Sequence, residues 1–581
     1  MSMKVAELAS LATQDDKAAW VSNLWDKFNQ QRKGKLEEWK ELRDYIFATD
    51  TTTTTAGALP WKNSTTTPKL CQIRDNLHSN YLSALFPNDN WLNWIAYDNQ
   101  ASTKFKADTI REYMANKTRE GHFRNTCSSL LLDYIDYGNS FATVDYEANY
   151  REDAFGQQVV DYVGPVARRL SPMDIVFNPL ADNFDDSFKV IRSVKTLGEL
   201  KVLAETHPEQ AFWKEALDRR ETIRRGGYSS EDFDKAVGYS ADGFGNMHDY
   251  FMSDYVEILE FYGDFHDAGT GSISTNRHIT VVDRSYVAQD AEIVNWFGKA
   301  PIYHVGWRKR PDNAWAMGPL DNLVGMQYRI DHLENLKADA LDLAVHPVLE
   351  MRGVVEEFEW APGATVEVDE GGSIREISQG LQGVIAANND IAVLEQRMEM
   401  YAGAPREAMG MRTAGEKTAF EVQQLQNAAG RIFQEKITHF EMELLEPLLN
   451  AMLETARRHL DETDLIRIVD KELGMESFRK ITRADLVANG KIRPIGARHF
   501  SKQAQDMQSV MGVFNSPMAQ ILAPHTSALA LSEFVNDATG LGGYGIFSPN
   551  IAIKEQQETQ IAAADAEEEV FVQTTDTTGL Q

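Results

Sequence analysis

Few side chains in this 581-residue sequence are spaced as catalytic or ligand-binding motifs require. No G-x-x-x-x-G-K-[ST] segment occurs, so no phosphate-binding loop is predicted. The glycine-rich run GLGGYG, residues 540–545, follows no predicted strand and lacks the spacing of a dinucleotide-binding turn. The 13 histidines form no H-E-x-x-H motif, and there is no G-x-S-x-G elbow. The sequence therefore predicts no enzyme, no metal site and no cofactor.

The charge balance of the chain argues against a protein that binds nucleic acid tightly. There are 87 acidic residues against 58 Lys and Arg, which gives a formal net charge of -29. Tight nucleic-acid binding needs clustered cations that displace counterions from phosphates, so this balance argues against it. It is compatible with a protein that surrounds nucleic acid without gripping it. Carboxylate pairs are expected by chance at this acidity, and none lies beside a candidate catalytic partner.

Composition indicates a globular protein of a reducing, aqueous compartment. Hydrophobic residues make up 43% of the chain, enough to bury a sizeable core. Two cysteines, Cys71 and Cys127, exclude a disulfide framework and a Cys-only zinc site, and we expect both to be buried thiols. No apolar run approaches the roughly 18 residues of a membrane span, so no membrane partner is predicted.

The first 310 residues predict a mixed α+β body with an antiparallel sheet. Residues 1–50 show helical spacing of apolar residues and are predicted as helix. CQIRDNLHSNYLSALFP predicts a helix that ends at Pro87, and NWLNWIAYD a strand. FRNTCSSLLLDYIDY predicts a helix that stops at Gly138-Asn139. Further strands are predicted in RRLSPMDIVFNP, KVIRSV, YVEILEFYGDF, HITVVDRSYVA and PIYHVGWRK, with helices near 197–205 and 209–217.

The next segment predicts a projecting stalk. A helix starts at Gly318 and ends at Pro347, and VIAANNDIAVLEQRMEMYAG predicts a second helix. Between them lies an acidic segment with strand-like alternation and a turn at Pro362-Gly363. The apolar positions of the first helix are Leu323, Tyr328, Ile330, Leu333, Leu336, Leu341 and Val345, and the acidic residues of the tip include Glu356, Glu357, Glu359, Asp369 and Glu370.

An irregular loop and a long helix follow the stalk. The loop runs from Ala402 to Lys417 and is rich in glycine. Thr418 and Glu421 have the spacing of a capping box, with Thr418 as the N-cap of the helix. Pro447 is expected to kink this helix, because proline removes one hydrogen bond and clashes with the preceding turn. Helical signals near the C-terminus precede an acidic tail.

The order of these segments resembles the head-to-tail connector, or portal, proteins of short-tailed double-stranded DNA phages. NYLSALFPNDNWLNW is similar to the family's early helix, its "ALFP" turn and a Trp-bearing strand. GPLDNLVGMQYRIDHLENLKADAL resembles the helix that leads to the clip, with its "LENL" core. RTAGEKTAFEVQQLQ resembles the entry to the long helix, with slightly different spacing. The matched order covers roughly residues 70–550.

The resemblance implies the portal fold, an α+β architecture of wing, stem, clip and crown. The implied segments are a wing over 1–317, a stem helix over 318–347, a clip over 348–380, a second stem helix over 381–401, a tunnel loop over 402–417, a long kinked wing helix and following segment over 418–480, a crown over 481–552 and an acidic flexible tail over 553–581.

The resemblance also implies roles for particular residues. Arg406, Arg412 and Lys417 of the tunnel loop would lie near DNA phosphates, tempered by Glu407 and Glu416. An ordinary helix–helix connector with solvated charges is the alternative for this loop. The acidic clip tip would steer a basic partner surface. Its alternative is a solubilising edge that blocks strand-to-strand aggregation.

The implied function is a structural ring of about twelve copies at one capsid vertex, assembled in the host cytoplasm. DNA would pass through its channel during packaging and ejection without sequence-specific contacts. The implied partners are the terminase large subunit, a tail adaptor, the major capsid and scaffolding proteins, and internal core proteins. Another ring-forming virion component, such as a tail adaptor or collar, is the alternative, although adaptors are usually much smaller. An enzyme of phage origin is a third hypothesis, for which the sequence nominates no residues.

Overall fold

The structure is a computed structural model that contains both helices and sheets, which confirms the predicted α+β class. It describes residues 9–11, 16–47, 66–87, 91–97, 101–152, 158–181, 183–206, 211–226, 254–267, 271–293, 299–311, 313–345, 348–353, 372–377, 382–403, 434–460, 463–469, 476–494 and 531.

Helices and strands are numbered in chain order. The helices are α1 (Lys17–Gln31), α2 (Lys33–Ile46), α3 (Lys69–Leu85), α4 (Ala101–Glu120), α5 (Phe123–Asp136), α6 (Leu197–Thr206), α7 (Ala211–Gly226), α8 (Val324–Val345), α9 (Gln382–Tyr401), α10 (Glu446–His459) and α11 (Arg483–Leu486). The strands are β1 (Ala9–Leu11), β2 (Leu92–Ala96), β3 (Asn139–Glu152), β4 (Gln158–Leu170), β5 (Ile175–Phe177), β6 (Lys189–Thr196), β7 (Tyr255–Asp267), β8 (Ser272–Val282), β9 (Tyr286–Glu292), β10 (Ile302–Gly306), β11 (Arg308–Arg310), β12 (Asn313–Met317), β13 (Val348–Arg352), β14 (Ser373–Ile377), β15 (Thr463–Val469), β16 (Glu476–Thr482) and β17 (Gly490–Pro494).

The chain divides into two compact units. The first contains Met1–Ser83 and Gly121–Arg458, and the second contains Ala84–Glu120 and His459–Gln581. The main sheet of the first unit has the order β5-β6-β7-β8-β9, and all of these neighbours pair antiparallel. Helix α1 covers one face of this sheet, where Val21 and Trp25 pack among the buried side chains of β6, β7 and β8.

The prediction of helix over residues 1–50 is wrong at two places. Residues 9–11 form strand β1, which pairs in parallel with the end of β7. The helix then breaks at Arg32, whose buried guanidinium donates to the carbonyls of Pro172 and Ile175 at 2.7 Å each. These partners lie about 140 residues away, so the helical spacing of apolar residues gave no sign of the break.

The segment HITVVDRSYVA is a hairpin and not the single strand that alternation predicted. Strands β8 and β9 flank a turn in which Asp283 and Arg284 adopt positive φ of 49° and 53°. Arg284 pairs with the fully buried Glu257 at 2.7 Å and with Asp26 of α1 at 2.9 Å. Arg220 of α7 reaches Asp283 at 3.0 Å. These buried ion pairs hold the turn in a conformation that sequence alternation does not show.

A smaller sheet, ordered β10-β3-β4, has an aromatic core. Phe141 stacks on His304 with ring centroids 4.5 Å apart, and Phe177 stacks on Trp315 at the same distance. His304 contacts the side-chain oxygen of Asn139 through Nε2 at 3.1 Å. Burial lowers the pKa of His304 well below its usual range, and Lys309, Lys189 and His439 lower it further. The imidazole is therefore neutral in the folded protein.

Gly138 lies between α5 and β3 and packs against the backbone at the start of the stalk. Its φ is +68°, and a Cβ there would collide with the backbone of Met317 and Gly318.

We expect Gly138→Ala to destabilise the first unit by about 2–4 kcal/mol, since positive φ and overpacking both oppose it. Chemical denaturation measures this. Gly34→Ala in helix α2 is the matched control, since nothing lies within 4 Å of its Cβ, and alanine there should be neutral or slightly stabilising. Equal effects at both positions would contradict the argument.

The second unit contains a strand pair that the sequence predicted in part. Strand β2 was predicted from NWLNWIAYD, and it pairs antiparallel with β17. Helix α4 was not predicted, although Ile110, Tyr113 and Met114 have the i, i+3, i+4 spacing that marks a buried face and are all buried. Lys106 of α4 donates to the carbonyls of Ala484 and Val487.

Most predicted elements of the first unit are confirmed. The helix that ends before Gly138, the strands of the main sheet, and the two helices after Thr196 occur where the pattern placed them, within a few residues, although the second extends to Gly226. Both cysteines are free, but only Cys127 is buried; Cys71 is partly exposed, in contrast to the expectation. The predicted C-terminal helices within 495–530 and 532–581 lie outside the described residues.

Candidate functional site

Helices α8 and α9, which we call the stem pair, carry the predicted stalk. A 3-10 turn over Asp321–Leu323 leads into α8. Asp321 accepts hydrogen bonds from the backbone N–H of Gly318 at 3.1 Å and from the Lys35 ammonium at 2.9 Å. Lys337 of α8 donates to Asn388 of α9 at 3.2 Å. The start of the stalk is thus fixed to helix α2 of the body.

A short antiparallel strand pair connects the two helices. Strands β13 and β14 pair from Val348 opposite Ile377 to Arg352 opposite Ser373. This confirms the predicted β insert between two helices. The acidic tip residues Glu356, Glu357, Glu359, Asp369 and Glu370 lie outside the described residues.

A buried polar cluster joins the stem pair to the start of α3. The Lys69 ammonium pairs with Glu399 of α9 at 2.7 Å, and both side chains are nearly fully buried. Gln327 of α8 accepts from the backbone N–H of Leu70 at 3.3 Å and donates to the carbonyl of Thr67. The cluster therefore couples three helices through charged and amide groups. No sequence pattern predicts this cluster, because its members are up to 330 residues apart.

Asp331 is a second carboxylate of this cluster. Its Oδ1 accepts from the backbone N–H of Thr67 at 2.8 Å and from Gln327 at 2.9 Å, while Oδ2 is buried without a hydrogen bond. Burial raises the pKa of Asp331 to about 6, against the two hydrogen bonds, which lower it, and with help from the charge of Glu334. The carboxyl group therefore changes charge near pH 6 inside the stalk.

We expect Asp331 to make the stability of the first unit depend on pH. Its folded pKa of about 6 exceeds the ordinary value of about 3.9, so its contribution to stability is fully present below about pH 4 and is lost as pH rises through 6. Asp331→Asn keeps the Oδ1 acceptor and removes the titration. Denaturation at several pH values should show the variant gaining about 1–2 kcal/mol on the wild type between pH 4 and pH 8. Parallel pH profiles of the two proteins would refute this assignment.

Helix α9 has exposed apolar side chains roughly opposite its buried face. Ile391 and Met398 are buried against the rest of the chain. Ile385, Val393 and Met400, which we call the α9 stripe, are 62%, 44% and 57% exposed. With 3.6 residues per turn, these three side chains lie within about 80° of each other and roughly opposite the buried face. A helix that is apolar on both sides is typical of burial on both sides.

Helix α8 also exposes apolar side chains. Leu323, Ile330 and Leu333 of the predicted apolar positions are buried, as expected. Tyr328, Leu336 and Leu341 are 39%, 44% and 43% exposed. The sequence pattern thus identified the apolar residues of α8, but only part of them contact the rest of this chain.

A π-helical turn precedes Pro447. It spans Glu441–Leu445, and the backbone N–H of Glu446 donates to the carbonyl of Glu441, five residues back. Proline has no N–H and its ring crowds the preceding turn, and a π turn relieves both problems by shifting the hydrogen-bond pattern. Helix α10 continues beyond Pro447 to His459, as the sequence analysis expected. The kink at Pro447 stays a prediction.

The remaining predicted site residues are not brought together by the described part of the chain. The tunnel-loop residues Arg406, Glu407, Arg412, Glu416 and Lys417, and the capping residues Thr418 and Glu421, fall within 404–433, outside the described residues. Residues 434–440 are helical, consistent with the end of the predicted long helix.

No group of three or more His, Cys, Asp or Glu among the described residues is arranged to hold a metal ion. None of the helices in the described ranges is long and apolar enough to cross a membrane. Burial raises the pKa of both Asp133 and Asp331 to about 6. Each accepts a hydrogen bond from a side chain, Asp133 from Arg169 and Asp331 from Gln327.

Comparison with known proteins identifies the segment that contains the stem pair. Residues 287–472 match the family model described as bacteriophage head to tail connecting protein. The matched range includes the stem pair, the β13–β14 insert and the π turn before Pro447. No curated protein matches the chain. Over residues 287–472, this chain is therefore similar to the bacteriophage head to tail connecting proteins.

Proposed function

We propose that the chain is a portal: a ring of about twelve copies at one capsid vertex, whose channel passes DNA during packaging and ejection. The α9 stripe is the observation that carries this proposal. Three large apolar side chains are exposed on α9 and are only partly covered by the described residues. Closed rings bury such faces between neighbouring copies, because a head-to-tail interface repeats at every subunit.

The partner of the stripe is the next copy's α8. Tyr328, Leu336 and Leu341 are exposed on the other helix of the same stem pair. Packing one copy's α9 against the next copy's α8 would cover the α9 stripe together with Tyr328 and Leu336, which lie about 80° apart around α8. Helix–helix packing of this kind places the axes about 8–10 Å apart.

The net charge fits a channel that does not hold its cargo. A chain of -29 repeated around a ring carries several hundred negative charges. Charges within a Debye length of about 8 Å at physiological salt repel phosphates, so DNA slides past acidic walls. The ring would dock the terminase large subunit and a tail adaptor at the clip, and capsid, scaffolding and internal core proteins at the body and crown.

Negative-stain microscopy of the purified full chain, with light scattering for mass, tests the proposal. We expect annular particles with a central hole and a mass of about twelve chains. A monodisperse monomer at micromolar concentration would refute the proposal.

Deletion of 403–415 tests the tunnel-loop role separately. The deletion should leave rings intact and reduce DNA packaging or retention in an in vitro packaging assay, because the loop's cations and glycines would no longer follow the moving duplex. A variant in which a Gly-Ser stretch of equal length replaces residues 403–415 is the matched control for loop length. Loss of rings in the deletion variant would show that the loop serves assembly instead.

A further inference from the structure

The β11–β12 hairpin presents three consecutive cations in an otherwise acidic protein. Arg308, Lys309 and Arg310 form β11, and all three residues are exposed. We call Arg308–Met317 the basic hairpin. The sequence predicted the start of this segment only as the end of the strand PIYHVGWRK. Its signal was present in the sequence as a run of cations between Trp307 and Trp315, in a chain of net charge -29.

Both tryptophans fix the hairpin to the aromatic core. Trp307 is buried, with its ring 4.9 Å from Tyr134 and 5.6 Å from Tyr81, and its backbone N–H donates to Gly138. Trp315 stacks on Phe177. The backbone that carries the cations is therefore held rigidly, so little conformational entropy is lost when the cations engage a ligand.

Charged groups of both signs lie beside Lys309. The Lys309 stem lies against Gly306, where a Cβ would be 3.1 Å from its Cγ. Lys436 donates to the carbonyl of Trp307 at 3.0 Å. Burial lowers the pKa of His439, and both Lys309 and Lys436 lower it further. Glu443, 3.5 Å from Lys309, is the facing carboxylate, and its charge raises the pKa of His439.

The hairpin surface is charged and not apolar. Within 308–311 and 313–317, the described part of the hairpin, no large apolar side chain is exposed. Stable protein interfaces have an apolar centre, so this surface suits a polyanion better than a folded protein. The planar guanidinium groups of Arg308 and Arg310 match the geometry of phosphate oxygens.

We propose that the basic hairpin is a contact site for the phosphate backbone of duplex DNA. The contact is sequence-independent and weak, because so small a group of cations, of which Lys309 pairs with Glu443, releases few counterions. The proposal rests on the connector role only for the source of the polyanion, which in a virion is the packaged genome. It adds a DNA contact outside the loop of residues 402–417.

Fluorescence anisotropy of a short labelled duplex, titrated with the full chain between 50 and 200 mM salt, tests the site. Arg308→Gln/Arg310→Gln should weaken binding on the order of tenfold per lost contact at 50 mM salt, and lower the salt slope by about 2. Arg43→Gln/Arg151→Gln removes the same charge from exposed positions elsewhere. This control should bind within about twofold of the wild type. Light scattering on each variant reports the oligomeric state independently.

Three other outcomes would overturn the inference. Equal losses in both double variants would mean that net charge alone governs binding. Absence of any binding by the wild type at 50 mM salt would remove the site. Competition by poly-glutamate as strong as by duplex DNA at equal charge would assign the hairpin to an acidic protein. If rings are absent while the hairpin variant alone loses DNA, the proposed ring fails and the contact stands.

Discussion

Val393→Glu/Met400→Glu is expected to convert the ring into monomers that keep their fold. Both side chains are exposed on α9, opposite its buried face, so the monomer tolerates glutamate there. In the ring they would be covered by the next copy. Each side chain is about half exposed, so each loses roughly half of the about 1.5–3 kcal/mol of full apolar burial, and each new carboxylate adds a desolvation cost. Because the contact repeats at every subunit, the loss repeats around the whole ring.

Light scattering and negative-stain microscopy measure the outcome. Circular dichroism and denaturation check that the monomer remains folded. Val202→Glu is the matched control, since Val202 is 61% exposed on α6, outside the stem pair, and receives the same substitution. We expect the control to form rings. Intact rings in the α9 variant, or monomers in the control, would show that the α9 stripe is not the subunit contact.

Glu399→Leu is expected to destabilise the first unit by about 3–5 kcal/mol. Glu399 and Lys69 are nearly fully buried and paired at 2.7 Å. Removing the carboxylate leaves a buried ammonium that still donates to the side chain of Gln72 at 3.0 Å. The cost of an uncompensated buried charge exceeds the net value of the pair, because desolvation of both ions is already included in the wild type.

The double variant Lys69→Met/Glu399→Leu separates charge from packing. Replacing both ions by apolar residues of similar size should recover most of the lost stability, because no buried charge remains. Chemical denaturation of the wild type, both single variants and the double variant gives the coupling energy of the pair. Additive losses would contradict a coupled buried pair. This pair attaches α9 to α3, so the same variants also report how firmly the stalk is held to the body.

The stem pair and the basic hairpin divide the proposed work of the molecule. Apolar side chains on the outer faces of α8 and α9 would close the ring. Cations on a rigid hairpin would touch DNA weakly, while the acidic remainder of the chain prevents tight attachment. Asp331 and the Lys69–Glu399 pair connect the stalk to the body through groups that respond to pH and to charge removal.

Elements with a strong local pattern were predicted from the sequence alone. The apolar spacing of α8 and α9, the alternation of β6 and β7, and the glycine stop after α5 identified helix, strand and turn, because each depends on residues only a few positions apart. The family resemblance is confirmed over residues 287–472. It could be recognised from the sequence for the same reason, because it depends on local sequence.

Tertiary structure alone decided where those elements turn and what they contact. The break at Arg32 and the turn at Asp283 depend on hydrogen bonds and ion pairs to distant residues, which no local pattern records. Lys69, Asp331 and Glu399 lie far apart in the sequence and are buried together in the fold. Conversely, Leu336, one of the predicted apolar positions of the first stalk helix, is 44% exposed. Hydrophobic periodicity shows that a face must be covered, and only the packed structure shows whether the same chain covers it.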